Sequence, residues 1–326
     1  MSRIDELRLI TRVALLYYGE RRTQSEISAS LHLSQASISR MLKRAEKEGI
    51  VKISIVPPRG TFVELEAGLR QRFGLAEAIV ADCADDGEET VLASIGTAAA
   101  HFLESSLDQG EVIGISSWSA SLLRMVDAIH PLRRASADSV VQILGGIGNP
   151  DVQAHATHLT ARLAQLTGAQ PRLLPAPGVA GTAAAKRALL ADPYVRATLE
   201  EFGRVTLALV GIGAIEPSRM LASSGNVFLA SELDELGRQG AVGDVCLRFF
   251  NAYGAPVRAP LDDRVIAIGL DELRRVPRVV GVAGGRRKVA AIKGALLGRL
   301  VNILITDKLT AERLLEPAPA NDEGRP

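Results

Sequence analysis

The chain has few groups with distinctive chemistry. Of its 326 residues only Cys83 and Cys246 are cysteines, far apart and at no metal-ligand spacing. This excludes a disulfide framework and a zinc ribbon and leaves two reduced, inert thiols as the expectation. Aromatics make up 4% of the chain, with a single tryptophan, against 47% apolar residues. That balance suits Val, Ile and Leu strands under Ala-rich helices. No unbroken apolar stretch of about 18 residues occurs, and no apolar run opens the chain, so neither a membrane span nor a signal peptide is expected and the cytoplasm is the expected compartment. G-x-G-x-x-G and P-loop patterns are missing, so no dinucleotide or nucleoside triphosphate is indicated. Only five histidines are present. His155 and His158 after Asp151 have an i, i+3 spacing that suits a metal, but without further ligands a helix-surface pair beside a capping aspartate is the simpler reading. No metal and no cofactor is expected.

What the chain does have is charge segregation. The formal net charge is +1, yet residues 1–57 carry ten Lys and Arg against six acids, a formal +4, leaving about −3 for the rest. Within the basic segment, TQSEISASLHLSQASISRMLKRA from Thr23 to Ala45 reads as two short helices and a tight turn. Thr23 and Glu26 form a capping box. Ile27 and Leu31 share one face; Ser34 caps a second helix whose buried stripe is Ile38, Met41, Leu42 and Ala45. The opposite face is polar and basic, and serine, glutamine and arginine at such a face suit base edges and phosphates in a major groove. The candidate DNA contacts are Thr23, Gln24, Ser34, Gln35, Ala36, Ser37, Ser39, Arg40, Lys43 and Arg44. An ordinary solvated helix pair is the competing reading; the charge segregation, the strand pattern of residues 50–55 in the position of a wing, and the linker Pro57-Pro58-Arg59-Gly60 weigh against it.

From residue 58 onward the pattern is one large α/β domain, with a doubly wound, mostly parallel sheet expected. A helix from Thr61 to Phe73 reads as a connecting helix or a dimer contact. Strands are expected at EAIVADC, EVIGIS, SVVQIL, RVTLALV, RVIAIG, RVVGVA and VNILIT, with helices near 88–107, 119–129 and 152–167. Ligands of open α/β sheets bind beyond the strand carboxyl ends, where four small-residue loops stand: Gly114 to Ser121, Gly145 to Asn149, Gly211 to Ala214, and Gly284 to Lys288. The serine-rich loop could be only a helix cap and the Gly-Gly-Arg-Arg-Lys loop only a tight turn. Together on one rim, they suit a phosphate or polyhydroxy ligand, with Lys288 the base expected to reach it. The tail after Leu315 is polar and Pro-rich, and is expected to be disordered.

These segments together carry a resemblance. TQSEISASLHLSQASISRMLKRAEKEGIV, GISSWSASL (114–122), VVQILGG (140–146), GIG (211–213), GAVGDVCLRFFNAYG (240–254) and the run from Val276 to Leu315 are similar, in order and over nearly the whole chain, to SorC/DeoR-type sugar-responsive transcriptional regulators. The resemblance implies a winged helix-turn-helix (1–57) and an effector-binding and oligomerisation domain (58–326) similar in fold to sugar-phosphate isomerases. It further implies a homodimer or homotetramer, double-stranded operator DNA as partner, a sugar, polyol or sugar-phosphate effector, and control of a catabolic operon; repression is the expected sign, and activation stays open. Carried across by position, Ser116, Ser117, Trp118, Ser119 and Ser121 cover the ligand, Gly145, Gly146 and Gly213 lie beside it, Asp244 and Arg248 form a polar wall, and Gly284, Gly285 and Lys288 form an anion contact. The sequence departs from the family pattern at Ser119-Ala120, where Gly and then Arg or Thr usually follow the tryptophan, and at Asn251, where Asp usually stands. Phosphorylated and unphosphorylated ligands both stay open. So does a sugar-phosphate isomerase-like enzyme with an appended DNA-binding domain, in which Glu216 or Asp244 would act as the base.

Overall fold

In a computed structural model, residues 3–51, 60–132, 137–147, 150–216 and 230–316 are described, residues 150–156 and 230 for their backbone only. The expected wing strand at 52–55, the linker at 57–59, Gly148, Asn149 and the tail after 316 lie outside the described residues. The chain divides into two compact units, Met1–Pro58 and Arg59–Pro326.

The first unit is built on α1 (Arg3–Ala14), α2 (Gln24–Leu31) and α3 (Gln35–Lys47). Its small core holds Ile10, Val13, Ala14, Ile27, Ile38, Leu42 and Ala45. Leu31, expected on the face of Ile27, and Met41, expected in the buried stripe, are only partly covered.

The second unit contains α4 (Val63–Phe73), β1 (Glu77–Ala81), α5 (Glu88–Ser106), β2 (Glu111–Ile115), α6 (Ala120–Ala128), β3 (Ala137–Gln142), α7 (Pro150–Thr167) and β4 (Gln170–Arg172). There follow α8 (Ala183–Ala191), α9 (Pro193–Glu200), β5 (Leu207–Gly211), β6 (Gly213–Ala214), α10 (Ala230–Arg238), β7 (Ala241–Val245), β8 (Arg248–Asn251) and α11 (Leu270–Leu273). The unit ends with β9 (Arg278–Val282), α12 (Val289–Leu297), β10 (Ile303–Asp307) and α13 (Lys308–Leu315). Seven strands form a parallel sheet in the order β1-β10-β9-β5-β2-β3-β4, and β6-β7-β8 form a small antiparallel sheet.

The alternation of strand side chains sorts the apolar runs onto two faces. Ile113, Ile115, Leu207, Leu209, Ile303 and Ile305 pack under α5, α6 and α7, while Val112, Ala208, Val210, Val279 and Leu304 pack under α4, α12 and α13. A strand buried on both faces must be apolar at every position, hence the continuous runs. Helix α4 is docked here rather than projecting. Its Leu69 is buried in the core, and Glu66 accepts a hydrogen bond from Val80 N at 3.0 Å.

One expected strand is absent. RVIAIG (264–269) joins no sheet and makes only the isolated bridges Val179↔Val265 and Leu144↔Ala267. Val265, Ile266 and Ile268 are buried all the same. The apolar run reported burial, and burial alone does not demand a ladder partner.

The strand order places β2 beside β5. From β2 the chain winds outward through β3 to β4, and from β5 it winds the other way through β9 to β10, which pairs with the first strand, β1. The crevice of a doubly wound sheet lies at such a reversal.

Candidate functional site

At the carboxyl ends of β2 and β5 the second unit holds a cavity of about 170 Å³. The loop after β2 contributes Ser116, Trp118, Ser119 and Ala120, the end of β5 and β6 Gly211 to Ala214 with Glu216 beyond them, and the β7–β8 hairpin Asp244, Cys246 and Leu247. Gly284 to Lys288 follow β9, Leu144 follows β3, and Asp86, Glu88, Val91 and Leu92 follow β1.

Asp244 is the buried charge of this site, 7% exposed. Its Oδ2 accepts from Leu247 N at 2.9 Å. Burial pushes its carboxyl from 3.8 up to about 6, opposed by that hydrogen bond and by the positive charge of Lys288. Burial likewise drives the half-buried Lys288 amine below its ordinary value, while Asp244 and Glu88 oppose the loss of its proton. The hairpin turn itself is unusual: Cys246 and Leu247 have φ of 52° and 61°. A two-residue turn with two positive φ values normally takes Asn-Gly, and placing Cys-Leu there stores backbone strain beside the cavity. The Cys246 thiol is pushed up to about 12 by burial, so it stays protonated.

Of the residues expected around the ligand, Ser116, Trp118, Ser119, Gly213, Asp244, Gly284, Gly285 and Lys288 line the cavity. Ser117, Ser121, Gly145, Gly146 and Arg248 are turned to other partners. Ser117 Oγ donates to Leu144 O at 2.7 Å and accepts from Gln142 Nε2 at 2.8 Å. Ser121 Oγ donates to Val282 O at 2.7 Å. Gly145 and Gly146 are glycines because a Cβ would meet Pro177 O or Gln142 Nε2. Arg248 reaches Asp262 at 3.4 Å and the carbonyls of Val265 and Ala267. The rim residues that sequence reasoning overlooked are chiefly Asp86 and Glu88. They stand at the end of a recognised strand, EAIVADC, and applying the strand-end rule to every strand would have found them.

In the first unit, Thr23 and Glu26 close their capping box: Glu26 N donates to Thr23 Oγ1 at 3.3 Å and Thr23 N to Glu26 Oε2 at 2.8 Å. His32 takes φ 55° to end α2, and Ser34 Oγ accepts from Ser37 N at 3.1 Å to start α3. Gln35, Ala36, Arg40 and Lys43 are exposed, while Gln24, Ser37 and Ser39 are half-buried. Arg44 is half-buried and binds Glu6 on α1 at 2.5 Å and Glu48 at 2.6 Å, which raise its pKa and join α1 to α3.

A sugar-binding domain family matches residues 58–316, and a winged helix-turn-helix DNA-binding family matches residues 14–52. Over 318 residues the chain is 32% identical to the sorbitol operon regulator of Klebsiella pneumoniae, covering 97% of this chain and all of that protein. It is 30% identical to the deoxyribonucleoside regulator of Bacillus subtilis, covering 95% of this chain and 98% of that one. The crystal structure of the full-length K. pneumoniae sorbitol operon regulator SorC superposes with a TM-score of 0.73 at 30% identity, covering 95% of this chain and 99% of that one.

Proposed function

The chain belongs to the SorC family, DNA-binding transcriptional regulators with a sugar-binding domain and not enzymes, and from that premise we propose that its effector sits in the cavity between β2 and β5. The observation that carries this reading is the coincidence of the cavity with the strand-order reversal, floored by Asp244 and walled by Ser119 and Lys288. Buried acceptors and hydroxyls in a cleft that also has apolar walls suit a ligand rich in hydroxyl groups. Relatives named for sorbitol and deoxyribonucleosides support a sugar or polyol.

In this reading α3 enters the major groove with Gln35, Ala36, Arg40 and Lys43 toward DNA, and the boundary near residue 58 separates reader from sensor. The protein works in the cytoplasm as a symmetric homo-oligomer and as a repressor. Effector binding favours one arrangement of paired readers over another, and half-sites a helical turn apart convert that preference into a change of DNA affinity. The test is a thermal-shift screen of sugars and polyols, followed by anisotropy titration of a DNA duplex selected in vitro. A hit should stabilise the protein by a few kcal/mol at a large excess over Kd and weaken the DNA complex. A hit that stabilises without altering DNA affinity would defeat the regulatory half of the proposal.

A further inference from the structure

We infer that the effector of this protein is an uncharged polyol or sugar, selected against its own phosphate by the carboxylates of the cavity. The inference rests on the cavity being the effector site.

The bases on the cavity wall, among the described residues, are Arg286, Arg287 and Lys288, all from one loop. Arg287 is ion-paired, and Arg286 and Lys288 lie within the field of carboxylates. Arg287 reaches Glu216 at 3.3 Å. Arg286 acts on Asp86, which Arg313 also grips at 3.1 and 2.6 Å. Lys288 lies in the field of both Asp244 and Glu88. With Arg313 counted beside Asp86, four carboxylates and four bases balance at this wall, so it has no surplus positive charge for a phosphate monoester, which carries about −1.5 to −2.

The backbone leads to the same conclusion. In the sequence, Gly284-Gly285 looks like an amide cradle for an anion, because bare glycines let a phosphate approach. In the structure one amide of that cradle, Gly285 N, is taken from within. Gly285 N donates to Asp307 Oδ2 at 2.9 Å and to Thr310 Oγ1 at 2.8 Å, and Lys288 N donates to Gly285 O at 3.0 Å. A Cβ on Gly284 would meet Asp307 Oδ2 at 2.3 Å, so that glycine makes room for a carboxylate. Gly211 and Gly213 do the same for Ser119 Oγ and Asp244 Oδ1, at 2.4 and 2.0 Å from a built Cβ. Three glycines therefore admit protein oxygens to the rim. Hydroxyl donors of a neutral ligand suit carboxylate acceptors; a phosphate, which needs donors, does not.

The departure at Ser119-Ala120 fits. Ser119 caps α6, accepting from Leu122 N at 3.4 Å, and its hydroxyl lies 3.0 Å from that of Ser121. Neither Ser119 nor Ala120 brings a cation.

The experiment is isothermal titration of the full-length protein with matched pairs, each four- to six-carbon polyol, aldose or ketose against its monophosphate, with inorganic phosphate alongside. The expected result is that the neutral member of one pair binds at least about tenfold tighter than its phosphate, and that inorganic phosphate does not compete. A phosphate that binds tighter than its neutral partner overturns the inference while leaving the sugar-effector reading in place. Silence from both members of every pair overturns that reading and the inference with it. In the variant Glu88→Gln the preference for the neutral member should narrow; an unchanged ratio would show that the carboxylates do not set it.

Discussion

Asp244 lies over Gly213 so closely that a Cβ built on the glycine would stand 2.0 Å from Asp244 Oδ1. The two residues face each other across β6 and β7, paired in register in the small antiparallel sheet. A bare backbone on one strand thus lets a carboxylate from the next strand reach the cavity. The charge survives burial there with one amide donor and a nearby lysine.

Gly213→Ala should therefore push the Asp244 carboxylate off its place without an αL penalty, since no positive φ is recorded at Gly213. Effector affinity should fall by roughly tenfold or more, about 1.4 kcal/mol, with DNA binding of the unliganded protein retained. Titration calorimetry beside DNA anisotropy checks this; an unchanged effector affinity would place the ligand elsewhere.

The raised carboxyl of Asp244 has a consequence for stability. Between its unfolded value of 3.8 and about 6, the folded state holds a proton that the unfolded chain has released, so stability falls as pH rises through that window. Above it the cost of the buried charge is fully present, about 3 kcal/mol for a shift of some two units. Asp244→Asn should raise the melting temperature at pH 7.5 relative to the parent, less what Lys288 loses with its partner, and flatten the difference between pH 4 and 6. It should also abolish the effector response. A variant destabilised at pH 7.5 would contradict the assignment of the cost to Asp244.

On the face of α3 proposed to meet DNA, Arg40 and Lys43 are exposed, whereas Arg44 is held by Glu6 and Glu48. The double change of Arg40 and Lys43 to Ala should weaken DNA binding and reduce the slope of log K against log salt by about 2, leaving thermal stability near that of the parent. Arg44→Ala should instead lower the melting temperature of the first unit. Equal effects of the two on the salt slope would restore Arg44 as a direct phosphate contact.

Much of this was legible in the sequence, and the remainder has a common physical reason. Thr23, Glu26 and Ser34 were readable because capping is local, settled within three residues. The parallel strands were readable because burial on two faces leaves no polar position. The ion pair of Arg44 was not legible because its partner Glu6 lies 38 residues away. Ser117 and Ser121 looked like ligand hydroxyls, but their acceptors are carbonyls 27 and 161 residues distant. The Cys246-Leu247 turn lacked the Asn-Gly signature that announces a tight hairpin. Asp244 was found through resemblance, and only the packing of β6 against β7 shows why a glycine must face it.

Trp118 provides the most direct test, because it is the single tryptophan of the chain and it lines the cavity, 6% exposed, with Nε1 donating to Gly145 O at 2.9 Å. The measurement is its emission during titration with the effector, set against release of DNA in the same solution. A saturable change with the same midpoint as the loss of DNA affinity is the predicted result. DNA affinity that shifts while Trp118 emission stays constant would contradict an effector site at this cavity.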